Sequence, residues 1–286
     1  MQALPAAVLT VTMAIGGVTP GRTEEKPQLD AAFRRMYELR FDEARRDILA
    51  YRHAHPDDPL GAAAEAASYL FEEFDREGVL TSEFFLDDER LLGGARGQPD
   101  PRRRAAFLGA NEIARNMARA RVDANPNDPD GLFVLTLTDG MEGDFEAVIE
   151  KRQLSSLSLI RRAEREATRL LAVRADALDA YVALGAANYI IGCLPAYKRV
   201  LLWFGGVHGD RQRGMEQLEV AAERGHYLRP LAKALLALAA EREDQPDRAR
   251  TLFEELAREF PANPIFAREL ALAQKGGASV RPPRGP

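Results

Sequence analysis

One cysteine, one tryptophan and four histidines are all that 286 residues contain of those types. With Cys193 alone, no intrachain disulfide, CxxCH haem attachment or cysteine-based zinc site can form. Basic charge is also short, 39 Lys and Arg against 44 Asp and Glu, for a net charge of −5. No basic field exists to release counterions from a nucleic acid, so nucleic acid is not an expected partner. The single basic triplet, Arg102-Arg103-Arg104, reads as a solvated helix start.

Motifs for chemistry are absent as well. There is no G-x-S-x-G elbow and no HExxH, and the glycines at 93, 94 and 97 or at 205 and 206 lack the Lys-Ser/Thr of a P-loop. His53 and His55 are two residues apart, so one helix face does not carry both; His208 and His226 fall in turns. Ser155, Ser156 and Ser158 read as a helix start, and Glu72-Glu73 and Glu254-Glu255 as solvated carboxylates among arginines. The chain is therefore read as a non-enzyme, with no catalytic residue, metal or cofactor expected.

What the sequence does contain is helical periodicity, almost without interruption from Leu29 to Gln274. The expected helices include Leu60–Glu77 ending at Gly78, 103–124, 129–142, 144–153, 155–174, 176–194, 196–204, 211–224, 228–241, 246–260 and 264–274. Residues 79–101 break the rhythm with Gly93, Gly94, Gly97, Pro99 and Pro101, and are expected to form a short helical turn and an exposed loop. The Gly/Pro-rich residues 275–286 are expected to be disordered. The uncharged run Ala3–Val18 reads as the apolar core of a signal segment within residues 1–21, which points to export to a periplasm or beyond; the alternative is a cytoplasmic protein with a hydrophobic tail.

Three segments share one chemistry: Pro56-Asp57-Asp58-Pro59, Pro126-Asn127-Asp128-Pro129 and Pro261-Ala262-Asn263-Pro264. The first proline cannot continue a helix, the Asp or Asn caps the next one, and the second proline sits where a missing N–H costs nothing. The spacings, 70 and 135 residues, are close to two and four times the roughly 34-residue tetratricopeptide period. Ala249 and Phe253 lie twelve and eight residues before Pro261, as Ala44 and Ile48 do before Pro56. In this the chain resembles the tetratricopeptide repeat superfamily, and 176–225, with Gly205 to Asp210, is similar to the long-loop arrays of tetratricopeptide repeat protein 39 and its fungal mitochondrial relatives. The resemblance implies an all-α solenoid of antiparallel helix pairs over residues 28–274 that binds a protein or peptide in a concave groove.

Candidate binding residues follow from that groove. Asn188 interrupts the apolar stretch 180–194 beside Tyr181, and either holds a peptide backbone or makes a helix–helix hydrogen bond in the core. Arg229 and Lys233, four apart, share a helix face and suit peptide carboxylates; Tyr197 would form a rim. A second reading makes residues 180–207 a surface for an apolar ligand or lipid on an envelope-associated protein. That stretch is not read as spanning a membrane, because Asn188, Pro195, Lys198 and Arg199 interrupt it.

Overall fold

The computed structural model describes residues 26–194 and 209–275. Among these residues the protein is entirely helical, with thirteen α-helices and no strand. They are α1 Pro27–Tyr37, α2 Phe41–Ala54, α3 Pro59–Glu77, α4 Ser82–Phe85, α5 Asp88–Gly93, α6 Pro101–Ala124, α7 Pro129–Asp144, α8 Gln153–Val173, α9 Ala180–Cys193, α10 Arg211–Arg224, α11 Arg229–Arg242, α12 Pro246–Glu259 and α13 Pro264–Gln274. The expectations for residues 1–21, 196–204 and 276–286 lie outside the described residues.

All three Pro-x-[Asp/Asn]-Pro segments are helix–helix corners, as cap chemistry predicts. Asp58 accepts from Leu60 N–H at 3.0 Å, Asp128 from Gly131 N–H at 2.6 Å and Asn263 from Ile265 N–H at 2.8 Å, each with proline as the first helical residue. Gly78 ends α3 in the left-handed region, φ 65°, where a side chain would be strained. Each helix packs on its sequence neighbour, apart from the α4–α5 excursion, across which α3 packs directly on α6. This order of pairs is that of an α-solenoid. The small and large apolar positions interlock as expected, with Ala44, Ile48, Ala249 and Phe253 all buried.

The two ends of the array meet. The Tyr37 hydroxyl of α1 donates to Tyr227 O in the α10–α11 turn at 2.9 Å, and Arg34 donates to Glu259 O at 3.0 Å. The ring of Phe33 lies 4.7 Å from that of Tyr227, and Tyr37 5.5 Å from Phe260. One buried core accordingly runs from Leu29 of α1 to Ala273 of α13. Every fully buried Leu or Phe at this junction contributes about 1.5–3 kcal/mol of burial, so α1 belongs to the C-terminal core as well as to its own pair.

Several local expectations are corrected. Residues 79–101 contain the expected short helical turn, α4, but the segment is packed rather than exposed: Phe84, Phe85 and Ala95 are buried. Ser82 gives its N–H and hydroxyl to Glu269 of α13, and Arg242 of α11 donates to Phe85 O at 3.0 Å. The expected helix at 144–153 is instead a π-helical turn, Phe145–Ile149, continuing α7. Its Val148 carbonyl accepts the Ala95 N–H at 2.7 Å, which ties the excursion to the body. Helix α9 begins at Ala180 rather than 176, because Asp179 turns inward to cap another corner. The triplet at 102–104 is only partly solvated, since Arg103 pairs with Glu72 and Glu73, and Arg104 with Glu150 at 2.6 Å. Glu73 itself is buried rather than solvated.

Candidate functional site

The residues singled out in the sequence fall on two different contacts. Asn188 of α9 donates from Nδ2 to Leu184 O at 3.0 Å and to Gln217 Oε1 of α10 at 2.9 Å. Arg229 and Lys233 share a face of α11, and that face is turned to α12: Arg229 pairs with Glu259, and Lys233 Nζ lies 2.6 Å from Glu255 Oε2. Tyr181 is half-buried against the main core, and Tyr197 lies outside the described residues. Among the described residues no helix is long and apolar enough to cross a membrane, and no three His, Cys, Asp or Glu side chains are grouped to hold a metal ion.

Two open clefts mark the described surface. One, of about 710 Å³, lies along α10 between Gly192, Arg211, Glu216 and Arg248, where its charges are already joined, Arg211 to Glu243 at 3.0 Å and Arg248 to Glu219 at 2.7 Å. The other, of about 760 Å³, lies where two of the corners come together. Lys26 and Gln28 at the start of α1, Tyr51 and His55 at the end of α2, the Pro56–Asp58 corner, Arg121 of α6 and Asp130 of α7 line it.

The corner cleft is built by the caps. Asp58 is held by the start of α3 and accepts hydrogen bonds from Lys26 Nζ (2.6 Å) and the Tyr51 hydroxyl (2.5 Å) in addition to Leu60 N–H. Burial opposes its charge, but these three donors outweigh burial and hold its carboxyl below the usual range. Arg121 grips the second cap, Asp128, through two 3.0 Å bonds and reaches Asp130 at 3.5 Å; Arg174 completes the Asp130 contacts at 3.1 Å. Asp57 and His55 remain exposed at the rim.

The α10–α11 turn packs on α1. Asp179 accepts the N–H groups of His226, Tyr227 and Leu228 at 2.7, 2.9 and 3.2 Å, fixing this turn. Burial still pushes the Asp179 carboxyl up despite the three donors. His226 Nε2 lies 2.8 Å from Asp30 Oδ1 of α1, and its ring stacks on Tyr227 with centroids 4.2 Å apart. Tyr227, in the corner Gly225-His226-Tyr227-Leu228, was not among the sequence-derived candidates. No family model, curated protein or solved structure matches the chain.

Proposed function

We propose that the chain is a non-catalytic helical scaffold that binds a protein or peptide partner, and that the partner engages the corner cleft. The observation that carries this reading is the convergence of the two capped corners on one open cleft, with Asp57 and His55 exposed at its rim and Asp130 half-buried beside them. Several charged groups elsewhere on the array bind helix to helix: Lys233 to Glu255, Arg103 to Glu73, Arg162 to Asp139. Such pairs hold a rigid frame, and a rigid frame with a polar recess suits recognition without chemistry.

A photo-crosslinking residue placed at Asp57, with a control at exposed Arg165 on α8, tests the reading in cells that make the protein. A discrete protein adduct from position 57 and none from 165 is expected. Failure to form any adduct at 57 would reject the cleft as a partner site.

A further inference from the structure

Residues 82–88 lie on the rest of the array as a bound peptide would. The Ser82 N–H donates to Glu269 Oε2 of α13 at 3.2 Å, and the Ser82 hydroxyl donates to the same oxygen. Arg242 of α11 donates to Phe85 O at 3.0 Å and pairs with Asp88. The Phe85 ring stacks on that of Tyr189 of α9, with centroids 6.1 Å apart and planes 12° from parallel. Ser82, Phe85 and Asp88, each three residues from the next, are thus held through backbone and side chain together. The holders are α9, α11 and α13, alternate helices of an array stacked in sequence order, and alternate helices share one side of such an array.

Two of the holding groups are charges taken out of water. Glu269 is 0% exposed, and the Arg242 side chain is 13% exposed. Buried charges need partners, and both of these take partners from this one short segment. The array does not need the segment in order to stack, because α3 packs directly on α6. Glycines in left-handed backbone stand on either side of it, Gly78 at φ 65° and Gly94 at φ 87°. Its Glu83 and Asp88 side chains are 71% and 73% exposed, so its outer edge faces solvent. Simple removal of the segment would strip Glu269 and Arg242 of these partners, whereas a second segment of the same pattern would replace them.

We propose that the side formed by α9, α11 and α13 is a peptide-docking surface that the chain keeps filled with its own residues 82–88, an autoinhibitory contact. The partner it fits is a protein segment of the same pattern: a hydroxyl residue, an aromatic three residues on and a carboxylate three further. The segment's N–H and C=O groups are read together with its side chains, as in other modes of peptide recognition. None of these residues lines the corner cleft, so this surface goes beyond the corner contact and is tested apart from it.

Fluorescence anisotropy with a labelled peptide of residues 79–93 tests it, on the full chain and on the full-length double variant Ser82→Ala, Asp88→Lys. The double variant weakens the resident segment's hold on Glu269 and Arg242 and leaves Phe84 and Phe85 in place. The peptide should bind it about tenfold more tightly than it binds the parent. Adding Arg242→Gln should abolish that gain, and the peptide carrying Phe85→Ala should not bind. Hydrogen exchange supplies a measurement that needs no variant. Excess peptide should speed exchange across residues 79–95 of the parent while α9, α11 and α13 stay protected. Equal peptide affinity for parent and folded double variant would overturn the inference. So would exchange of residues 79–95 only together with the whole array, which would make the segment a fixed part of the core. Equal binding of the Phe85→Ala peptide would reject the recognition pattern. A crosslinked partner at position 57, or its absence, bears on the corner cleft alone.

Discussion

The side-chain amide of Asn263 donates to the backbone carbonyl of Tyr37 at 2.8 Å, across 226 residues of sequence. The same amide's oxygen caps α13 by accepting the Ile265 N–H, so one buried residue both starts the last helix and fastens the end of the first. Asn263→Ala should therefore cost about 2–4 kcal/mol, more than a cap alone. Asn263→Asp keeps the cap oxygen but turns a second acceptor toward the Tyr37 carbonyl at a buried site, and should cost at least as much in a denaturant titration. If both substitutions cost no more than an ordinary cap, the closure contributes little.

Helices α9 and α10 touch backbone to backbone. A Cβ on Gly214 would stand 2.6 Å from Tyr189 N and 2.8 Å from Gly185 O. Gly214→Ala should destabilise by about 2–3 kcal/mol, even though alanine is the better helix former. Gly109, exposed on α6 with nothing within 4 Å, is the internal control: Gly109→Ala should stabilise by about 0.5–1 kcal/mol. Equal effects at the two sites by thermal unfolding would contradict the close approach.

Glu241 of α11 has one buried carboxylate oxygen without a partner, and burial first, then the charge of Glu269, push its carboxyl up to about 7 from 4.5. Glu269 is already satisfied by Ser82 and by Arg268 at 2.8 Å. An acid with a raised folded value binds more protons folded than unfolded, so this residue makes stability fall as pH rises from about 4.5 to about 7. Glu241→Gln should be more stable than the parent by about 1–2 kcal/mol above that window, discounted for its partial exposure, and should lose the advantage below it. Melting curves of the two proteins that stay parallel across this range would refute the assignment.

Asn188 and Lys233 are expected to behave as parts of the frame. Asn188→Leu removes the bond to Gln217 and should lower the melting temperature by several degrees, at about 1–2 kcal/mol. Lys233→Glu sets a second carboxylate beside Glu255 in a position where the lysine side chain is only 12% exposed, and should cost about 1 kcal/mol or more. Loss of partner binding in either variant with the melting temperature unchanged would return both residues to a binding role.

The corners were legible in the sequence because cap and proline chemistry is local, needing only four residues at a time. So were Gly78, and helices α10 and α13 to the residue. In the 79–101 segment the short helical turn was legible but the packing was not, because glycines and prolines speak of local backbone, while Phe84 and Phe85 are buried by helices far along the chain. Asn188, Arg229 and Lys233 were placed on the right elements, but spacing says which residues share a face and not which neighbour that face meets. Tyr227 could not be picked out, since its contacts are with Phe33 and Tyr37 of α1 and with Asp179, all distant in sequence.

The joining of Tyr37 to Tyr227 and Asn263 also sets an order of events during synthesis. The apolar face of α1 leaves the ribosome early, yet its partners on the α10–α11 turn and at Phe260 come some 190 or more residues later. An open array can lock in repeat by repeat from either end, but here the first repeat must wait for the last, which raises contact order and slows completion. Nascent chains stopped before residue 227 should therefore bind a hydrophobic dye through α1, and full-length chains should not. For most of its time on the ribosome this protein is a sticky one, and its first helix is what a chaperone would meet.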